Sequence, residues 1–78
     1  MIELRFDEKL YDGFAVDEAA KTFEPFATIA REREGGAFIL RVTIEKSAAD
    51  DGHTEDEVAA ELANYALGKT IEKRGAGA

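Results

Sequence analysis

The sequence predicts an α+β domain of order β-α-β-β-α, in which a three-stranded, largely antiparallel sheet carries two helices on one face. Three patterns in the 78 residues support this class: apolar and charged residues alternate at the start, two stretches have helical apolar periodicity, and a Gly-Gly pair separates two strand-like runs. We expect residues 1–74 to form this one domain and residues 75–78 to be a flexible tail.

A change of period separates the first strand from the first helix. Apolar and charged residues alternate over residues 2–7, which is typical of a half-buried strand. Residues 13–24 instead repeat apolar side chains at helical spacing, and Pro25 cannot continue the hydrogen-bond ladder, so the helix ends before it. The stripe that this helix is expected to bury consists of Val16, Ala19, Ala20 and Phe23.

A β-hairpin is the most specific local signal. Gly35 and Gly36 separate residues 26–33 from residues 37–45, and glycine tolerates the positive φ of a tight turn. With both glycines in the turn, the numbers of opposite residues sum to 71. This register puts Phe38, Leu40, Val42 and Ile44 on the core face with Ala27 and Ile29. The outer face then carries Phe26, Thr28, Ala30, Glu32, Ile39, Arg41, Thr43 and Glu45.

The second helix is predicted to begin at Thr54, after a loop over residues 46–53. Thr54 and Glu57 have the spacing of a capping box, which satisfies free amides at a helix start. The inward stripe of this helix is expected to be Val58, Ala59, Leu62, Tyr65 and Ala66. Because the third strand is the most apolar, the strand order 1-3-2 is favoured, while order 1-2-3 with a crossover through the first helix stays open.

Composition restricts the classes of function. The chain has 17 Asp and Glu against 10 Lys and Arg, a net charge of −7, which argues against nucleic acid as a partner. It has no cysteine, which excludes disulfides and thiolate metal sites. No stretch has the length and hydrophobicity of a membrane span, so we expect a cytoplasmic protein that binds neither membranes nor cofactors.

The candidates for chemistry are few. His53 is the single histidine and lies near Asp50 and Asp51, which leaves a small hydrolase or isomerase as a third hypothesis. Nothing in the sequence supplies a nucleophile paired with this histidine, so it is expected to be a solvated loop residue. The acidic residues here lack the spacing of a calcium loop. The sequence therefore predicts no catalytic residue and no metal site.

The outer sheet face is the stronger candidate, because it combines apolar and β-branched residues that no helix needs to cover. Leu67 and Ile71 form a second candidate on the outward side of the last helix. We interpret the protein as a binding module for a peptide or protein, through this face or an open strand edge. A structural homodimer that pairs through the outer face is the alternative. The predicted contact residues are Phe26, Thr28, Ile39, Arg41, Thr43, Leu67 and Ile71.

Residues 61–69 (ELANYALGK) are similar to a Leu-Leu-Asn-Asp-Tyr-Leu-Arg-Glu pattern, from which Ala66 and Gly68 depart. With the early strand, the Ala-Ala-x-x-Phe run at residues 19–23 and the hairpin, the chain resembles the small D component of bacterial His-Xaa-Ser systems. Those systems accompany radical-SAM maturases of ribosomally made peptides. The resemblance implies a non-catalytic accessory protein whose partner is the maturase or its precursor peptide, and it carries over no catalytic residue.

Overall fold

The computed structural model describes residues 1–75 and has the predicted α+β architecture, with one short helix added. Its elements in chain order are β1 (Ile2–Asp7), α1 (Gly13–Phe23), β2 (Ala27–Glu34), β3 (Ala37–Ile44), α2 (Lys46–Asp50) and α3 (Glu55–Gly75). None of the helices in this part of the chain is long and apolar enough to cross a membrane.

The strands form one antiparallel sheet in the order β1-β3-β2. This confirms the favoured order, and the alternative order 1-2-3 is wrong. The hairpin register is also as predicted, with Ala27 opposite Ile44 and Glu34 opposite Ala37. Gly35 and Gly36 have φ values of 54° and 79°, the positive angles that a type I′ turn requires at both central residues.

Both long helices pack on the same face of the sheet, as predicted. The residues that build this core are Phe6, Val16, Ala19, Ala20, Ala27, Leu40, Val42, Val58, Leu62 and Ala66. Phe23 and Tyr65 pack against it from the facing sides of α1 and α3, with ring centroids 6.1 Å apart. The apolar periodicity of both helices is therefore satisfied by one shared core.

Two predicted boundaries are wrong. The loop over residues 46–53 contains α2, because its small residues favour a helical turn and Ala48 is buried in it. Gly75 belongs to α3 rather than to a tail, and residues 76–78 lie outside the described residues. The hydroxyl half of the capping box is present, since the Glu57 N–H donates to the Thr54 hydroxyl at 3.2 Å.

Helix α3 lies alongside β1 for the whole length of the strand. At one end the Glu55 carboxylate is 2.6 Å from the Met1 amino group. At the other end Arg74 donates to the carbonyls of Lys9 and Leu10 at 3.1 and 3.0 Å, in the turn that follows β1. The two elements therefore run in the same direction.

Each outer strand has one free edge, and the hydrogen-bond pattern shows which residues point to it. The Glu8 N–H donates to the Gly36 carbonyl at 3.0 Å, which extends the ladder between β1 and β3. Because antiparallel ladders alternate, the even-numbered residues of β1 bond to β3 and the odd-numbered ones face outward. The Glu45 N–H bonds the Phe26 carbonyl at 2.9 Å, which gives the same alternation in β2.

Candidate functional site

A groove opens between α1 and the second half of β2, residues 31–34. Its volume is about 300 Å³, its floor is formed by Val16, Phe38 and Leu40, and its sides include Arg31 and Arg33. Helix α1 covers the part of the helix-facing side that carries small and apolar residues. It does not extend over the part where β2 carries Arg31 and Arg33, and the groove there opens over the half-buried Phe38 ring, while Val16 and Leu40 in its lining are buried.

Gly13 allows α1 to begin very close to the groove floor. A Cβ atom built at this position would lie 3.1 Å from Cζ of Phe38, closer than ordinary van der Waals contact. The Arg33 guanidinium lies 5.5 Å from the centroid of the same ring, within the range of a cation–π contact. The tip of the Phe38 ring is therefore close to the start of α1, and a cation lies near the ring.

Ion pairs fix both arginines of the groove. Arg31 pairs with Asp17 in the middle of α1 and, at 2.8 Å, with Glu24 at its C-terminal end. Arg33 pairs with Glu8 in the turn after β1. Exposed ion pairs add little to the free energy of folding. They place the guanidinium groups of the two arginines beside the groove, where the side chains remain partly exposed.

Phe14 extends the apolar surface beyond the groove. It lies in the first turn of α1, its side chain points away from the core, and it is 79% exposed. A second depression of about 440 Å³ joins Phe14 to the groove through Gly13, Arg33 and Phe38. A large aromatic residue with this exposure, next to an apolar floor, is a candidate contact for another molecule.

The predicted patch on the outer face does not exist in the expected form. Ile39 is 0% exposed, so its assignment as a partner contact is wrong. It lies in the central strand between Arg5 and Glu32, and long charged side chains cover apolar neighbours with their aliphatic stems. Arg41, beside it, pairs with Glu32 and with Glu3, the latter at 3.3 Å.

The remaining outer-face candidates are accessible but polar in their surroundings. The hydrogen bond and the charge of Glu32 raise the pKa of Arg41 above its ordinary value. Thr28 and Thr43 are exposed, and the Thr28 hydroxyl donates to the Glu45 carboxylate at 2.6 Å. Phe26 is 37% exposed. A homodimer through this face would therefore meet ion pairs and threonines rather than the isoleucine on which that alternative depended.

Leu67 and Ile71 are exposed as predicted, by 43% and 61%. They belong to α3, which packs on the face of the sheet opposite to Thr28 and Thr43. The structure therefore does not bring the two sets of predicted contacts together, and they form separate surfaces.

The loop histidine packs against an aromatic ring. The ring of His53 lies 5.4 Å from the ring of Phe26 in an edge-to-face contact, while Asp50 and Asp51 are exposed. Within residues 1–75, no three His, Asp or Glu side chains are grouped in a way that would hold a metal ion.

Sequence reasoning missed the groove, although two signals for it were present. The predicted register already set Arg31 opposite Leu40 and Arg33 opposite Phe38, on the face assigned to the core. Two arginines on a core face indicate that the face is uncovered there. Phe14 also lies outside the buried stripe of its helix, which is unusual for a large aromatic residue.

Comparison with known proteins adds no relative. No model of a protein family, no curated protein and no solved structure matches this chain.

Proposed function

We propose that this domain is a non-catalytic module that binds a peptide or protein partner, and that the groove between α1 and β2 receives an apolar side chain of that partner. The observation that supports the proposal is the groove over the half-buried Phe38 ring, next to the exposed Phe14 and with the buried Val16 and Leu40 in its lining. Binding of an aromatic or large aliphatic side chain would remove this apolar surface from water, which is favourable by about 25 cal/mol per Å².

The groove is suited to an anchoring side chain because its apolar lining belongs to the packed sheet and helix. Arg31 and Arg33 beside it already pair with carboxylates of the same chain, so their charges are balanced without the partner. Contacts that bury an aromatic anchor in a fixed pocket contribute most of the affinity in many interfaces. A partner segment with one aromatic or leucine anchor is therefore the ligand class that this geometry supports best.

The resemblance to the D component of His-Xaa-Ser systems suggests which partner to test. It rests on residues 61–69 and 19–23, and neither stretch forms the groove floor. As part of the proposal, the partner is the precursor peptide of a radical-SAM maturase or the maturase itself.

A displayed library of random 12-residue peptides tests the groove without knowledge of the partner. We expect the wild-type protein to enrich peptides that share an aromatic or leucine anchor. The Phe14→Asp variant should bind these peptides at least about tenfold more weakly, which corresponds to about 1.4 kcal/mol. This variant should stay folded, because a carboxylate in the first turn of a helix interacts favourably with the helix dipole.

The matched control is Ile71→Asp, which places the same charge at a similarly exposed apolar position on α3. It should bind the selected peptides as tightly as the wild type does. Nuclear magnetic resonance shifts of the Phe38 ring on peptide addition would locate the contact. Selected peptides that bind wild type and Phe14→Asp equally would contradict the proposed site, and a library that yields no binders would contradict the proposed function.

A further inference from the structure

The free edge of β1 carries backbone groups that are ready to pair. Glu3 and Arg5 point their N–H and C=O groups away from β3. The Asp7 carbonyl is already used by the amides of Leu10 and Tyr11, at 3.0 and 2.9 Å. Pairing with a further strand would therefore use Glu3 and Arg5.

The side chains of β1 are complementary to themselves in one antiparallel register. When the numbers of opposite residues sum to 8, Glu3 lies opposite Arg5 twice, Leu4 lies opposite Leu4, and Ile2 lies opposite Phe6. Opposite charges and apolar pairs across strands each stabilise a sheet. The outward residues are odd-numbered, so only registers with an even sum bring their hydrogen-bonding groups together.

The neighbouring registers with an even sum are unfavourable. A sum of 10 places Arg5 opposite Arg5 and Glu3 opposite Asp7, and a sum of 6 places Glu3 opposite Glu3. Like charges directly opposite each other destabilise a pair of strands. Hydrogen bonding therefore restricts the pairing to even sums, and charge favours the register that sums to 8 over its two neighbours.

We infer that β1 pairs with β1 of a second copy of this chain, antiparallel and in the register that sums to 8, so that two three-stranded sheets join into one sheet of six strands. The two-fold axis passes through the facing Leu4 residues, and both copies keep their helices on the same side. The partner is a second copy because β1 is complementary to its own sequence.

The helices fit this arrangement. Helix α3 packs against β1 and β3 alike, so its axis lies above the line midway between these strands. Strands in a sheet are about 4.8 Å apart, so each α3 axis would lie about one strand spacing from the two-fold axis. The two α3 axes would therefore be about 10 Å apart, near the usual spacing of packed helices. They would run antiparallel across the two-fold axis, because α3 follows the direction of β1.

The inference also accounts for apolar residues that the monomer leaves in water. Tyr65 faces α1, and Leu67 lies on the other side of α3. Leu67 is two helical turns before Arg74 and therefore lies on the same face of the helix, and Arg74 contacts the turn after β1. Leu67 is thus directed past the β1 edge, with the exposed Ile71 one turn further and the exposed Ala60 two turns earlier. Small Ala60 permits close approach, and Leu67 and Ile71 would become buried between the helices.

Arg5 gives independent support. The other strand arginines, Arg31, Arg33 and Arg41, each pair with a carboxylate of their own chain. Within residues 1–75, Arg5 has no such pair. In the inferred dimer its partner is Glu3 of the second copy.

Cysteine cross-linking tests the register directly, because the chain has no cysteine of its own. Opposite residues at a pair without hydrogen bonds have Cα atoms about 4.5 Å apart, within the range of a disulfide. Leu4→Cys should therefore form a covalent dimer on mild oxidation. Arg5→Cys should not, since its own copy lies two residues away along the partner strand. A disulfide at position 5 and none at position 4 would overturn the register.

Charge exchange tests the pairing without a cross-link. By analytical ultracentrifugation the wild type should be a dimer, and Arg5→Glu should weaken dimer affinity on the order of 30-fold, because two attractive pairs become repulsive. The double variant Glu3→Arg, Arg5→Glu should recover most of the loss, although its new arginine lies near Arg41. A wild-type monomer at millimolar concentration, or an unchanged affinity in Arg5→Glu, would overturn the inference.

This inference is independent of the proposed function, since the groove and the β1 edge share no residue. Phe14→Asp should leave the dimer intact while it weakens peptide binding. Leu67→Asp should weaken the dimer while peptide binding to the groove persists. A failure of one proposal is therefore distinguishable from a failure of the other.

Discussion

The two outer strands belong to the same sheet but have opposite edge chemistry. In β2, the second half of the strand reads Arg-Glu-Arg-Glu, and ion pairs from α1 and from the turn after β1 reach over it. In β1, charged residues alternate with Ile2, Leu4 and Phe6, and the first two stay half-exposed beside α3. Pairing the charged half of β2 with itself sets Arg31 opposite Arg33 and Glu32 opposite Glu32.

The difference shows how the two free edges of one small sheet can differ in their capacity for self-pairing. Both strands carry charges, but self-pairing of the charged half of β2 sets like charges opposite each other, which discourages it. A shifted register of β2 that avoids like charges places each arginine opposite Ile29 or Ala27 and gains no ion pair. Of the two free edges, β1 is therefore the one suited to self-pairing, while β2 contributes to the groove.

Proline substitutions are expected to have the largest effect, and they test which amides face the edge of β2. The Glu32 amide bonds to β3, whereas the Arg33 amide points outward. Glu32→Pro should therefore lower the free energy of unfolding by about 2 to 3 kcal/mol, through a lost ladder bond and a ring clash. Urea denaturation followed by circular dichroism measures this.

Arg33→Pro is the matched control, because each variant loses one exposed ion pair. Glu32→Pro loses the pair with Arg41, and Arg33→Pro loses the pair with Glu8. Proline is tolerated where the missing N–H would face solvent, so this variant should lose about 1 kcal/mol or less. Equal losses at the two positions would contradict the alternation on which the description of both edges depends.

The hairpin turn predicts an intermediate effect. Gly36 has a φ of 79° with ordinary space around a Cβ atom, so Gly36→Ala suffers from the backbone angle and not from a clash. We expect a loss of about 1 to 2 kcal/mol, the cost of a left-handed conformation for an L-residue. Because the turn joins β2 to β3, the loss should appear as faster amide exchange in β2 than in β1.

Gly35→Asn is the control for this variant. Asn-Gly is the preferred pair for a type I′ turn, and nothing lies within 4 Å of a Cβ at this position. This variant should therefore be close to the wild type in thermal unfolding. A similar loss in both variants would show that the turn is not what specifies the register of β2.

The same contrast explains what the sequence could and could not predict. The strand order, the hairpin register and the two long helices follow from local signals, since a period change or a Gly-Gly turn needs no knowledge of the rest of the chain. The exposure of Ile39 was predicted wrongly, because periodicity assigns a side chain to a face but does not show which neighbours cover it.

The groove was hidden for a related reason. Its existence depends on how far α1 extends over β2, which is a property of packing between elements. Arg31 and Arg33 on the core face are the available signal, because a core face that carries two arginines is uncovered there. The short helix α2 was missed because five residues carry too little periodicity to be separated from a loop.

The smallest effect concerns the point where β1 begins. Glu55 accepts from the Met1 amino group at 2.6 Å and from the Ile44 N–H at 3.2 Å, so it ties β1 and β3 to the start of α3. The hydrogen bond from the amino terminus, followed by that from Ile44, lowers the pKa of Glu55. A carboxylate whose pKa is lowered on folding stabilises the protein above its ordinary pKa, and this contribution disappears as the pH falls through the folded value.

Glu55→Gln should therefore be less stable than the wild type at pH 7. The difference should decrease as the pH falls below the ordinary pKa of about 4.3 for glutamate and vanish below the lowered pKa of the folded state. Urea midpoints at a series of pH values measure this. Glu57→Gln removes the same charge from the same helical turn but no contact to β1, so it should lose less at pH 7. A constant difference between Glu55→Gln and wild type at all pH values would mean that Glu55 holds the start of β1 through packing rather than charge. The ion pair with the Met1 amino group would then not anchor the end of β1.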